Sequence, residues 1–135
     1  MDSHEELLRA WMAAGDNGDL DAFARCLHPL VAVHAPLGLS ASGIEEERET
    51  WRNAKRAMPD LHHDLVEVLS VGDTVAARSV VTGTLRGEFA GLAADGVRFE
   101  MALAIFAHVK DGRIVEAWEI ADVGGLLQQL GILKS

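Results

Sequence analysis

Hydrophobic side chains recur at helical spacing in three segments of the first half of the chain. Residues 3–14 and 19–28 each place apolar side chains on one helical face, and Pro29 follows the second segment. Residues 44–58 are strongly charged but keep Trp51 and Ala54 on one side. These patterns predict three helices, with a strand over residues 30–35 and a loop over residues 36–43 between the second and the third.

After Pro59 the periodicity changes to one that is typical of strands. Four segments alternate or are rich in apolar and β-branched residues, namely 61–71, 74–85, 97–109 and 114–120. Residues 72–73 and 110–113 are tight-turn signals, whereas residues 86–96, with three glycines, predict a longer connection. A short helix is predicted from Asp122 to Gly131. Helices segregated from a mainly antiparallel sheet define an α+β domain, which we expect to span residues 1–135 as a single unit.

Composition narrows the classes of function. The chain has 135 residues and a net charge of −9 without a basic cluster, which disfavours nucleic acid and anionic membranes as partners. The single cysteine, Cys26, excludes an internal disulfide and a multi-cysteine zinc site. The histidines lack metal-site spacing and no phosphate-binding loop is present, so neither a metal nor an organic cofactor is expected. The acidic start, with no secretory signal, favours a cytoplasmic protein.

Several stretches together resemble the SnoaL-like polyketide cyclases of the nuclear transport factor 2-like superfamily. The resemblance covers nearly the whole chain and is carried by residues 22–29, Met58-Pro59-Asp60-Leu61, residues 82–89, residues 110–116 and residues 126–131. It implies a strongly curved sheet wrapped around a central pocket that the helices close. The predicted helices followed by hairpins agree with that fold.

The resemblance also implies a chemistry. Cyclases of this family close a ring by an intramolecular aldol reaction without a cofactor, and a carboxylate on the last long strand acts as general acid/base. That position falls on Glu119, where the family has aspartate, and the accompanying histidine of the preceding strand falls near Ile105. The longer glutamate side chain moves the carboxylate by about one methylene, and a displacement of about 1 Å matters for catalysis.

The residues themselves offer further candidates for the site. Alternation places Glu119 on one strand face with Val115 and Ala117, which predicts a desolvated carboxyl with a raised pKa that suits proton transfer next to a carbonyl. Asp122 is predicted either to cap the terminal helix or to act as a second carboxylate near Glu119. The candidates for substrate binding are His34, Trp51, Met101, Leu103, Ile105 and Arg78.

Two of these candidates leave alternatives open. An arginine within the apolar strand 74–85 is predicted to be buried and to need a carboxylate partner, for which Glu119 and Asp122 are candidates. His34 either faces the pocket or is structural. In the pair His62-His63, alternation allows at most one ring to point inward.

Three functions are compatible with these residues. The first is an aldol cyclase of polyketide type that acts on a hydrophobic, carbonyl-bearing substrate, aromatic or polyketide-like. The second is an epoxide hydrolase or isomerase: Arg78 could serve the former, although Val80 stands where a carboxylate is wanted, and the absence of tyrosine excludes the oxyanion hole of a ketosteroid isomerase. The third is a non-catalytic binding module of the same fold. A buried Glu119 without a basic partner favours catalysis.

A homodimer is also predicted from the pattern of the last two strands. Alternation places Trp118, Ile120 and Ile114 opposite the pocket, with Phe106 and Ala104 on the neighbouring strand. Such an apolar sheet face is larger than monomers usually expose.

Overall fold

The computed structural model describes residues 3–132. Its helices are α1 (Ser3–Asp16), α2 (Phe23–Cys26), α3 (Ile44–Ala57) and α4 (Val123–Gln129), with a 3₁₀ turn at Leu20–Ala22. Its strands are β1 (Leu27–His34), β2 (Ala41–Ser42), β3 (His62–Val71), β4 (Thr74–Phe89), β5 (Leu92–Lys110) and β6 (Arg113–Ala121).

The six strands form one curved, unclosed sheet in the order β2-β1-β6-β5-β4-β3. Neighbouring strands are antiparallel except β1 and β6, which are parallel. The inner face of the sheet packs on the helices, and the core consists of alternate strand residues together with aromatic side chains such as Trp11 and Phe23. The expected α+β cone is therefore confirmed.

The bounds of the helices and strands differ from the sequence prediction at three places. The stretch 86–96 is not a loose connection, because β4 continues to Phe89 and β5 begins at Leu92. A register shift beyond Leu85, followed by Gly87 at φ 95°, lets the long hairpin continue past the break in the alternation. The second predicted helix already ends at Cys26, and Pro29 lies within β1. The expected loop before α3 contains the two-residue strand β2.

A bulge in β6 determines which side chains face inward. His108 pairs with Glu116 but Val109 pairs with Ile114, so Val115 is an extra residue. Ile114 and Ala117 are in consequence both fully buried. The prediction that Ile114 lies on the outer face is therefore wrong, because one inserted residue reverses the alternation.

In residues 3–132 no helix is long and apolar enough to cross a membrane.

The side chain of Trp51 joins three elements. Its ring packs edge-on against Phe23, with centroids 6.1 Å apart, and against His63 at the start of β3, with centroids 5.1 Å apart. The end of α1 approaches the same ring at Gly15, where a Cβ atom would overlap the six-membered part of the indole. The close packing of α1 on α3 therefore requires glycine at this position.

We predict that Gly15→Ala lowers the free energy of unfolding. Overpacking against a buried indole costs about 1–3 kcal/mol, and the better helix propensity of alanine offsets at most about 1 kcal/mol of this. Chemical denaturation measures the difference. Gly124→Ala is the matched control, because a Cβ there would meet its nearest atom, Asp122 Oδ1, only at 3.9 Å. Equal stability of Gly15→Ala and the wild type would contradict the packing of α1 on Trp51.

Candidate active site

A deep cavity lies between the inner face of the sheet and the helices α3 and α4. Part of it is open to solvent. Its walls are apolar except for four polar side chains, which are Glu47, Thr50, His63 and Glu119. A cavity of this kind binds small molecules with an apolar body and a few polar groups.

Glu119 projects from β6 into this cavity. It pairs across the sheet with Ile105, which is fully buried, and it follows the buried Ala117 on the same face. Among residues 3–132 its carboxyl has neither a hydrogen bond nor an ion pair with a basic side chain. Desolvation, together with the charge of Glu47, raises the pKa of Glu119 to about 8. Glu119 therefore points inward, as the strand alternation predicts, and its carboxyl is desolvated.

Glu47 is a second carboxyl of the cavity, and the sequence-based predictions missed it. Its side chain is only 2% exposed, and the indole N–H of Trp51 donates a hydrogen bond of 2.9 Å to its Oε2 atom. Burial raises the pKa of Glu47 to about 7. The indole N–H groups of Trp51 and Trp11 both favour the charged form of Glu47 and so oppose this shift. The N–H group of Trp11 is buried and has no hydrogen-bond partner within 3.5 Å among the described residues.

A signal for Glu47 does exist in the sequence. Position 47 belongs to the same helical stripe as Ile44, Trp51, Ala54 and Met58, so an acidic residue there occupies the apolar face of α3. The high overall charge of this helix conceals the exception.

His63 is the histidine of the pair that faces inward. Its ring lines the cavity, and its Nδ1 atom lies 2.8 Å from Asp16 Oδ1. The backbone N–H of His63 donates a second hydrogen bond, of 2.6 Å, to Asp16 Oδ2. His62 points outward and is exposed. The pair between Asp16 and His63 joins the end of α1 to the start of β3.

The other candidates divide into those that reach the cavity and those that do not. Trp51, Met101 and Leu103 line it together with Glu119, while Ile105 lies fully buried next to it. Asp122 is the N-cap of α4 and accepts a hydrogen bond of 3.0 Å from the backbone N–H of Gly125. The capping alternative for Asp122 therefore matches its hydrogen bonding.

Arg78 and His34 lie on the outer face of the sheet. Arg78 is exposed between the buried residues Ala77 and Ser79, and its Nε atom is 3.5 Å from Glu67. The prediction of a buried Arg78 paired with Glu119 or Asp122 is wrong, because strand alternation directs it outward even within an apolar segment.

His34 is held outside the cavity as well. It bonds to Glu116 Oε2 at 2.7 Å and stacks on Trp118 with ring centroids 5.4 Å apart. It is therefore structural in this position. Over the part of the chain that the structure describes, no three His, Cys, Asp or Glu side chains are grouped to hold a metal ion.

Comparisons with known proteins agree with this fold. The sequence model of the SnoaL-like polyketide cyclases matches residues 5–130, so the chain belongs to that family. No curated protein matches it. TsrD from Streptomyces laurentii is 31% identical, with 98% of this chain and 99% of that chain covered and a TM-score of 0.87.

Two further solved structures are similar over almost their whole length. IdmH from Streptomyces antibioticus, described as "a putative polyketide cyclase", is 29% identical, with 95% and 98% of the two chains covered and a TM-score of 0.82. AclR from Streptomyces galilaeus, described as "a putative hydroxylase", is 27% identical, with 97% of each chain covered and a TM-score of 0.81. Proteins of this fold thus carry different functional descriptions, and the reaction must be argued from the site.

We predict that Glu47→Gln lowers the pKa of Glu119 below about 8. The amide oxygen of glutamine still accepts the Trp51 hydrogen bond, whereas the charge that disfavours ionisation of Glu119 is removed. Carbon-13 NMR titration of the side-chain carboxyls measures this shift. Glu49→Gln, on the solvent-exposed face of α3, is the control and leaves the titration of Glu119 unchanged. An unaltered midpoint in Glu47→Gln would disprove the electrostatic coupling.

Proposed function

We propose that this protein is a cofactor-independent acid/base enzyme that acts on a hydrophobic, carbonyl-bearing small molecule, and that its reaction is an aldol ring closure of polyketide type. The observation that carries the proposal is the carboxyl of Glu119, which lies in an apolar cavity without a basic partner among the described residues. A structural carboxylate is normally paired or solvated, so an unpaired one in such a place is a candidate for proton transfer.

The chemistry of ring closure requires proton transfers in an apolar space. The C–H bond next to one carbonyl breaks, and the resulting enol carbon forms a C–C bond to a second carbonyl carbon of the same molecule. The second carbonyl oxygen receives a proton and becomes a hydroxyl group, so no atom is lost or gained. A carboxyl whose pKa is near 8 exchanges protons readily at neutral pH and suits this sequence of steps.

The walls of the cavity support an apolar and flat substrate. The cavity presents two aromatic rings and two flexible apolar side chains to the apolar part of a substrate. These belong to Trp51, Phe99, Met101 and Leu103. Family membership and the likeness to IdmH support a polyketide-like compound, which is bulky and rich in carbonyl groups.

Non-catalytic binding is the second function that this cavity could serve, and epoxide hydrolysis is less well supported. The arginine that epoxide hydrolysis would use, Arg78, is paired with Glu67 on the outer face of the sheet. A binding module would have the same cavity but no need for an unpaired carboxyl, since burial of such a group disfavours its charged form and weakens the fold.

We predict that Glu119→Gln cuts turnover by roughly 10²-fold or more while ligand affinity changes little. The amide preserves shape but cannot exchange the proton. Turnover is to be measured as ring closure of polyketide-type β-carbonyl compounds that carry at least two ketone groups. Glu116→Gln is the matched control on the same strand, because that carboxylate lies on the outer face beside His34. A wild-type rate in Glu119→Gln would refute catalysis and leave the binding function.

We also propose a homodimer through the outer face of the sheet. Phe106 is 42% exposed and Ile120 is 62% exposed on neighbouring strands, beside Trp118 and Ala104. Pairing of this face with a second copy would remove the apolar side chains from water. Sedimentation velocity at micromolar concentration should give a dimer, and Ile120→Glu should shift the protein towards the monomer. A wild-type protein that sediments as a monomer at this concentration would contradict the proposal.

A further inference from the structure

The pair of Asp16 and His63 is more rigidly built than a surface ion pair. Both side chains are only 9% exposed, although they lie 47 positions apart in the sequence. Asp16 accepts two hydrogen bonds from the same residue, one from the ring at 2.8 Å and one from the backbone at 2.6 Å. The ring of His63 is packed against the indole of Trp51 on its other side. These contacts fix the orientation of the imidazole.

The hydrogen bonds also fix its tautomer. An ionised carboxylate only accepts hydrogen bonds. The hydrogen bond between His63 and Asp16 therefore requires that the proton lies on the Nδ1 atom of His63. In a neutral imidazole the Nε2 atom then has a free lone pair. Within residues 3–132 this nitrogen has no hydrogen-bond partner, and the ring belongs to the wall of the cavity. A lone pair available to a bound molecule is the arrangement of a general base.

The position of His63 complements that of Glu119. The strand order separates β3 from β6 by two strands, so the two residues are not neighbours within the sheet, yet both line the same cavity. The curvature of the sheet sets them on different walls. Two residues of α3 connect them: Trp51 contacts His63, and Glu47, which accepts a hydrogen bond from Trp51, acts on the charge of Glu119.

The titratable groups around His63 come from four elements. Asp16 at the end of α1 is its direct partner, and the exposed ring of His62 on β3 lies 3.6 Å from Asp16 Oδ2. Glu47 of α3 lies beyond the indole of Trp51, and Glu119 of β6 faces the same cavity. The residue opposite His63 on β4 is Val81, which is uncharged and buried.

We propose that His63 is the catalytic base of this site, positioned by Asp16, and that Glu119 serves in its protonated form as the acid. This inference rests on the proposed function and divides its two proton transfers between two walls of the cavity. His63 touches the substrate C–H group, whereas Asp16 acts through His63 and is a positioning residue.

The proton transfers balance for a ketone. The Nε2 atom of His63 takes the proton from the carbon next to the carbonyl, and the electrons of the C–H bond form the C=C bond of the enol. The carbonyl oxygen takes the proton of the Glu119 carboxyl, which leaves an imidazolium ion and a carboxylate. Both groups return to their starting forms when the new C–C bond has formed: the imidazolium protonates the new alkoxide, and the carboxylate recovers the enol proton. Asp16 stabilises the imidazolium in between.

Solvent deuterium exchange into 2-tetralone, a bicyclic ketone with a fused benzene ring, isolates the first half of this reaction. We expect His63→Gln to lower the enzyme-dependent exchange rate by about 10²-fold and Asp16→Asn by about 10-fold or more. His62→Gln is the matched control and should stay within about twofold of wild type. Wild-type exchange should fall above about pH 8, where Glu119 loses its proton, and this fall should be absent in Glu119→Gln but retained in Asp16→Asn.

The outcomes separate this inference from the proposed function. A wild-type rate in His63→Gln together with an inactive Glu119→Gln would overturn the assignment of the base and leave the proposed function standing. Wild-type rates in both variants, or a wild-type protein that exchanges no faster than buffer, would overturn both.

Nitrogen-15 NMR of the imidazole tests the dyad without any substrate. We expect the wild-type ring of His63 to carry its proton on Nδ1 and the ring of Asp16→Asn to carry it on Nε2, because the asparagine NH₂ group would donate to Nδ1. A purely structural histidine has no requirement for a bare Nε2 atom facing the cavity. Protonation of Nε2 in the neutral wild-type ring would overturn the proposal even if the variants fold poorly.

Discussion

The indole of Trp51 is the contact on which both the packing and the site depend. Gly15, Phe23 and His63, from three different elements, all pack against it. Its N–H group donates a hydrogen bond to Glu47, which lies one turn earlier on the apolar stripe of α3. A single side chain thus fixes the distance between α1 and α3, the orientation of the imidazole and the position of a buried carboxyl.

The chemistry of the cavity has a cost for the fold. A carboxyl whose pKa rises on folding binds its proton more tightly in the folded than in the unfolded state. The contribution of Glu119 to the free energy of unfolding therefore falls as the pH rises from about 4.5, its ordinary pKa, to about 8. The contribution of Glu47 falls between about 4.5 and about 7, and each contribution is constant outside its window. Glutamine at either position would remove that residue's part of the dependence, so selection for stability alone does not explain two desolvated acids in an apolar wall.

The sequence predicted the features that depend on local periodicity or on family resemblance. The inward direction of Glu119 follows from its spacing to Ala117, which lies on the same side of the β6 bulge, whereas the bulge itself misplaced Ile114. The outward direction of Arg78 follows from strand alternation, although its apolar neighbours suggest a buried position. Glu47 was detectable as a polar residue on an apolar helical stripe. The contact between Asp16 and His63 was not, since it depends on how α1 docks on β3 and no local pattern encodes that docking.

The central claim is that the apolar cavity holds a carboxylic acid, rather than a carboxylate, near neutral pH. Infrared difference spectroscopy between about pH 6 and about pH 10 observes this group directly. We predict carbonyl bands of two protonated carboxyls at the lower pH, one that disappears with a midpoint near 8 and one, from Glu47, with a midpoint near 7. The first band is lost in Glu119→Gln, whereas the Glu47 band remains. A spectrum in which Glu119 is already ionised at about pH 6 would contradict the claim.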